Sequence, residues 1–247
     1  MTSGRFSVLA GAALLCASAA ASGQLLSVAG EPSLHSPMNP INTRAVNYLH
    51  DDGTIENGVG IGGTSPFDII WLNRFTVQPG GETINEIQAA FGSPNDPRPY
   101  NGLPFTLLVY SDATGGSPSD AVLLASVNDV VSNANTGLLN SYTIPSTLIT
   151  TSEFFVAVLM RNLPGGNGFV ASIDQTVPHV SGVSYAGFTV GAPLNENNLG
   201  TLGANLGTIE GFGLAGNWVL RATGVPTPGA VSLLALGGLM VARRRRA

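Results

Sequence analysis

The chemistry open to this chain rests on fifteen carboxylates, three histidines and one cysteine. The tightest polar group is Asp51, Asp52 and Glu56, with Asn57 alongside, oxygen donors of the kind calcium takes. Their loop lacks the Asp-x-Asp-x-Asp-Gly order, and Asp51-Asp52-Gly53 also reads as an ordinary turn. Gly182-Val183-Ser184-Tyr185-Ala186 comes within one residue of the Gly-x-Ser-x-Gly nucleophile elbow. An elbow needs a helix after the serine and a histidine further on. No histidine follows Ser184 and the sequel is strand-like, so a serine in a strand or hairpin is the better reading. His35, His50 and His179 lack the His-x-x-x-His spacing of a zinc site and read as exposed or hydrogen-bonded side chains. A glycosidase pair must stand about 5 Å or about 6.5–9.5 Å apart across a cleft, a distance that sequence does not carry. For stacking on a sugar ring the candidates are Tyr100, Trp71 and Trp218. Both tryptophans lie in apolar runs and read as core. Tyr100 is left as the glycan-contact candidate, or as the staple of its own loop.

The elements that must position these residues read as strands. Gly and Pro punctuation recurs along the chain, with short β-branched and aromatic runs between the marks. The runs are Asp68 to Val77, Thr83 to Phe91, Phe105 to Tyr110, Val122 to Val127, Leu138 to Ile144, Glu153 to Arg161, Phe169 to Ile173, Ser184 to Val190 and Trp218 to Ala222. Phe154 to Met160 is apolar without alternation, as expected of a strand buried on both faces. Ser93 to Pro104, with four prolines framing Arg98 and Tyr100, is too stiff and donor-poor for a central strand. Ser111 to Asp120 is a Gly/Ser/Asp loop, and Leu194 to Gly213 is a long irregular connection whose glycines oppose helix. The expected fold is all-β: a single antiparallel β-sandwich, jelly-roll-like, over residues 24–222, flanked by a signal peptide and a short C-terminal hydrophobic helix.

Residues 1–23 have the form of a secretory signal peptide: Arg5, an apolar stretch from Phe6 to Leu15, and small residues from Ala17 to Gly23. The cut is expected between Ala19 and Gly23. Cys16 would leave with the signal, so the remainder has no disulfide framework and no thiolate metal site. Between the signal and the terminal arginines lie five arginines, no lysine and all fifteen acids, for a net charge near −10. Such a surface disfavours nucleic acid and anionic membranes, and it suits neutral polysaccharide or divalent cations. No cofactor is implied.

Residues 223–247 form a three-part tail. Pro226-Thr227-Pro228-Gly229-Ala230 precedes an uncharged apolar run, Val231 to Ala242, and then Arg243, Arg244, Arg245 and Arg246. The prolines suppress helix, the run can close its own hydrogen bonds in lipid, and the arginines mark the cytoplasmic side. Gly229 to Ala242 makes a helix of about 21 Å, short against a bilayer core of about 30 Å. That length suits a transient hold better than a permanent anchor.

The tail resembles the PEP-CTERM sorting signal, with Pro-Thr-Pro where the family has Pro-Glu-Pro. The resemblance implies an exported, non-enzymatic protein of the cell surface or extracellular matrix, often accompanied by exopolysaccharide. It also implies an exosortase-like membrane protease as partner, with cleavage near Pro226 and transient membrane contact through the C-terminal transmembrane helix. The segment between the signals, from Asp51-Asp52-Gly53 through Leu103-Pro104-Phe105 to Asn217-Trp218-Val219-Leu220-Arg221-Ala222, resembles a β-sandwich domain of exported planctomycete-type proteins. A secreted carbohydrate-binding module is the alternative function, and a glycan-active hydrolase the third.

Overall fold

The computed structural model describes residues 26–28, 45–63, 65–94, 96–164 and 168–226. Among the described residues, apolar runs punctuated by turn residues become fourteen strands, all paired antiparallel, with three short 3-10 segments. The strands are β1 Leu26–Val28, β2 Val46–Tyr48, β3 Asn57–Ile61, β4 Phe67–Thr76, β5 Thr83–Ala89, β6 Pro104–Asp112 and β7 Val122–Val130. The second half adds β8 Asn140–Leu148, β9 Glu153–Leu163, β10 Gly168–Asp174, β11 Ser184–Val190, β12 Leu206–Thr208, β13 Asn217–Trp218 and β14 Leu220–Val225. The all-β expectation holds.

A six-stranded sheet, in the order β12-β11-β4-β9-β6-β7, faces two four-stranded sheets, β2-β14-β5-β8 and β1-β3-β10-β13. Alternation along β4 and β9 sends Ile69, Trp71, Phe75, Phe154, Val156, Val158 and Met160 inward, to meet Ile84, Ile87, Tyr142, Val170 and Trp218 in one core. The opposite face of the six-stranded sheet is apolar too. Ile70, Leu72, Leu108, Tyr110, Phe155, Ala157 and Leu159 are buried there under Leu194, Leu199 and Leu202. That cover explains why β9 carries no polar alternation.

Three expectations change at the level of elements. The run Trp218 to Ala222 is not one strand. Val219 breaks it, donating its N–H to Ser172 O (3.0 Å) and accepting from Ala90 N (3.2 Å), so β13 joins one four-stranded sheet and β14 the other. Residues 194–213 are not wholly irregular either. They hold 3-10 segments at Leu199–Asn205 and Glu210–Phe212 with β12 between, because Leu199 and Leu202, three apart, both reach the covered apolar face. Thr223 to Val225, expected as the start of the tail, belong to β14 and pair with β5.

Strand ends set the geometry of the surface. The turn at residues 77–82 joins β4 to β5, and residues 149–152 join β8 to β9; the two turns are tied by Val77 N to Ser152 O (2.9 Å) and Ile149 N to Glu82 O (2.8 Å). Val225 pairs with Thr83 at this same end, so Pro226 leaves the domain there. Among the described residues no helix is long and apolar enough to cross a membrane. The expected C-terminal helix and the whole of the expected signal peptide lie outside the described residues.

Candidate functional site

The acidic residues singled out in the sequence are held by definite partners. Asp51 is buried beneath Arg221, whose Nε lies 3.0 Å from both carboxylate oxygens and whose second guanidinium nitrogen also donates to Oδ1. This pair occupies both Asp51 oxygens, so the residue is a structural anchor rather than a cation ligand. Asp52 and Glu56 instead join Asp174 across the loops that follow β2 and β10. The Asp174 carboxylate accepts backbone N–H groups from Asp52 (2.7 Å) and Thr176 (2.8 Å). Glu56 Oε2 accepts from Gln175 N at 2.7 Å, and the Thr54 hydroxyl lies 2.7 Å from Asp52 Oδ1 and 2.6 Å from Glu56 Oε1. Burial, with the nearby charges of Asp52 and Glu56, pushes the Asp174 carboxyl up to about 6 against the pull of its two backbone N–H donors. The three acids staple two loops together. No three His, Cys, Asp or Glu side chains converge as a metal-binding group among the described residues.

The aromatic candidates turn inward. Trp71 and Trp218 are core residues, as expected, and Trp218 Nε1 donates to Tyr185 O at 2.7 Å. Tyr100 is 4% exposed and cannot present a ring face to a glycan. Its hydroxyl donates to Asp96 (2.6 Å) and accepts the Phe169 N–H (2.9 Å), which fastens the proline loop onto β10. The stiff loop needs that tie because its prolines offer few donors of their own. Phe67, Phe75, Phe91, Phe105, Phe154, Phe155, Phe169, Phe188, Phe212 and the remaining tyrosines, Tyr48, Tyr110, Tyr142 and Tyr185, are buried as well. Among the described residues no aromatic ring is left for stacking on a sugar.

Ser184 is fully buried. Its hydroxyl donates to Asn73 Oδ1 (2.7 Å) and accepts from Asn217 Nδ2 (3.1 Å) and Trp218 N (3.2 Å). Asn73, inward on β4, sends its amide to Trp218 O (2.9 Å) and Leu220 O (2.8 Å), the carbonyls on either side of the break at Val219. This polar clamp bridges the sheets where the chain changes from one to the other, and no imidazole takes part. His50 is also structural: its Nε2 donates to Arg74 O at 2.6 Å, its ring stacks on Phe75 at 4.5 Å, and burial lowers its pKa. His35 lies outside the described residues.

One hollow, of about 440 Å3, opens at the end of the six-stranded sheet away from Pro226. Pro66, Phe67, Gly191, Ala192 and Pro193 form its apolar wall, and Asp68, Arg161 and Asn162 its polar wall. The polar wall is rigid. Arg161 donates to Asp68 (3.1 Å), to Leu194 O (2.8 Å) and to Glu196, while Asp68 also accepts Asn162 N (2.7 Å) and Leu194 N (2.9 Å). Asn162 holds φ at 51°, a left-handed conformation that asparagine tolerates better than most residues. The hollow's lining comes from residues 66–68, 161–162 and 191–193, too far apart in the chain to form a local motif.

No protein family matches the chain, and no curated protein does. Among solved structures the chain is similar to the cysteine protease and lectin-like domains of Cwp84, a surface layer associated protein of Clostridium difficile, with a TM-score of 0.51 and 13% identity. The match covers 76% of this chain and 37% of that one. At this identity the likeness is one of fold, an antiparallel β-sandwich.

Proposed function

We propose that this chain is an exported, non-enzymatic module of the cell surface or extracellular matrix, whose tail is recognised and trimmed by an exosortase-type membrane protease. The observation that carries the proposal is the unbroken succession of Pro226-Thr227-Pro228-Gly229-Ala230, the apolar run 231–242 and Arg243 to Arg246. Thr227 to Arg246 lie outside the described residues. The strand before them supports the reading: β14 ends at Val225, so the proline motif starts one residue beyond the last ladder pair. A protease at the membrane would then find the motif directly beside the folded domain. The burial of Ser184 and its full set of hydrogen bonds support a non-catalytic role for the Gly-Val-Ser-Tyr-Ala segment.

Removing the exosortase-type protease from the host cell tests the proposal. Full-length protein retaining Arg243 to Arg246 should then accumulate in the membrane fraction. An unchanged mass and unchanged distribution would overturn it.

Carbohydrate binding is the second reading, favoured by the lectin-like domain of the structural neighbour and by the hollow at Asp68, Arg161 and Asn162. With the described aromatics buried, a neutral glycan would be held by these polar groups and the proline wall. Retardation of the protein in native gels containing neutral polysaccharide, lost in Asn162→Ala, would support this reading. No retardation would remove it.

A further inference from the structure

Carboxylate oxygens can be traced one by one. Asp51 gives both of its oxygens to Arg221, and Asp68 gives both to Arg161, Asn162 and Leu194. Asp174 gives both to backbone N–H groups. Three side chains differ: Asp112 Oδ2, Glu153 Oε2 and Glu210 Oε2 are buried and have no hydrogen-bond partner. Leaving a charged oxygen both desolvated and unpaired costs far more than leaving a neutral one so.

Two of the three stand side by side. Asp112 closes β6 and pairs directly with Glu153, which opens β9, so both side chains rise from the same face of the six-stranded sheet. Asp112 is 1% exposed. Its other oxygen, Oδ1, accepts Thr114 N (3.1 Å) and Gly115 N (2.9 Å), which holds the carboxylate fixed and leaves Oδ2 unused. The same loop roofs Glu153: a Cβ added at Gly115 would stand 3.3 Å from Glu153 Oε2. Positive charge nearby is scarce. Arg74 lies 3.6 Å from Glu153 Oε2 and donates to Gly182 O, while Glu210 accepts Gly182 N on the far side. Arg74 faces Glu153, and Asp112, Glu153 and Glu210 all lie close enough to act on the Tyr185 hydroxyl. No cation pairs with Asp112 among the described residues.

We propose that Asp112 and Glu153 form a calcium site, with Asp112 Oδ2 and Glu153 Oε2, neither of which accepts a hydrogen bond, as its protein carboxylate ligands. The donors are hard oxygens, of the kind that calcium takes. Calcium tolerates irregular oxygen sets completed by backbone carbonyls and water, whereas magnesium demands a near-ideal octahedron. Two carboxylates are a small charge count, which places the affinity in the range of extracellular modules, Kd about 10⁻⁴–10⁻³ M. The group at Asp52, Glu56 and Asp174 is a poorer candidate because its oxygens already serve the loops that it joins.

The test uses full-length protein and calcium alone, read by thermal unfolding and by terbium luminescence excited through tyrosine, Tyr185 being beside the site. Calcium at 10 mM should raise Tm by about 3–5 °C and displace terbium with a Kd near 1 mM. Asp112→Asn should weaken calcium binding at least tenfold, and Asp52→Asn should leave it unchanged. Equal binding by wild type and Asp112→Asn, loss of binding in Asp52→Asn, or no calcium effect on wild type would each overturn the proposal. Should Asp112→Asn fail to fold, Glu153→Gln at its partly exposed position carries the same test with the same expected loss.

Discussion

Replacing Asn73 with alanine tests whether the Ser184 region is a structural clamp. Asn73 is fully buried and makes three hydrogen bonds, to Trp218 O, Leu220 O and the Ser184 hydroxyl. A net contribution of about 1 kcal/mol per bond gives about 3 kcal/mol. Carbonyls left in the core and the space of the lost amide raise the cost to about 3–5 kcal/mol. For a domain of this size that lowers Tm by roughly 10 °C, read by circular dichroism and by the fluorescence of Trp218. Ser184→Ala alone should cost about 1–3 kcal/mol, because Asn217 Nδ2 and Trp218 N lose an acceptor. The two changes share a bond, so the double variant should lose about 1 kcal/mol less than the sum. An Asn73→Ala protein within 1 kcal/mol of wild type, or strict additivity, would refute the clamp.

Arg221→Met should destabilise the domain by about 3–5 kcal/mol in urea unfolding, since it leaves the Asp51 carboxylate buried without its partner. Tyr100→Phe should cost about 1–3 kcal/mol by the same measurement, because the Phe169 N–H loses its acceptor, with no change in migration through polysaccharide gels. The Asp174 carboxyl should titrate by carbon NMR with a midpoint of about 6, against about 4 in the unfolded chain. The folded state holds that proton more tightly, so this group's contribution is fully present below pH 4 and is lost as pH rises to 6. A midpoint near 4 would contradict the packing of Asp52, Glu56 and Asp174.

Strands with clear boundaries were legible in the residues. Ser184–Val190 has the limits that its aromatic and β-branched content and flanking glycines indicate, and the two-faced burial of β9 follows from Phe154 to Met160. β3 was hidden because Asn57-Gly58-Val59-Gly60-Ile61 reads as turn punctuation. Its glycines serve close approach instead: a Cβ at Gly60 would lie 1.6 Å from Gly168 O, and one at Gly58 2.4 Å from Phe169 O. Short β2 and β12 had too few residues to show a period. At the candidate sites, side-chain type was readable but partner was not. Asp51 meets Arg221 at a separation of 170 residues, and that contact removed it from the calcium group. Tyr100 was visible as the aromatic of a proline loop, but its inward turn depends on Asp96 and on β10. The meeting of Asp112 and Glu153 depends on strand register, which fixes neighbours that sequence spacing does not reveal.

The central claim, export followed by trimming of the tail, is tested most directly by the intact mass and cell fraction of the native protein. The account predicts a chain that begins near Gln24, ends around Pro226 and is found outside the membrane. A chain that keeps Arg243 to Arg246 and stays in the membrane fraction would contradict it.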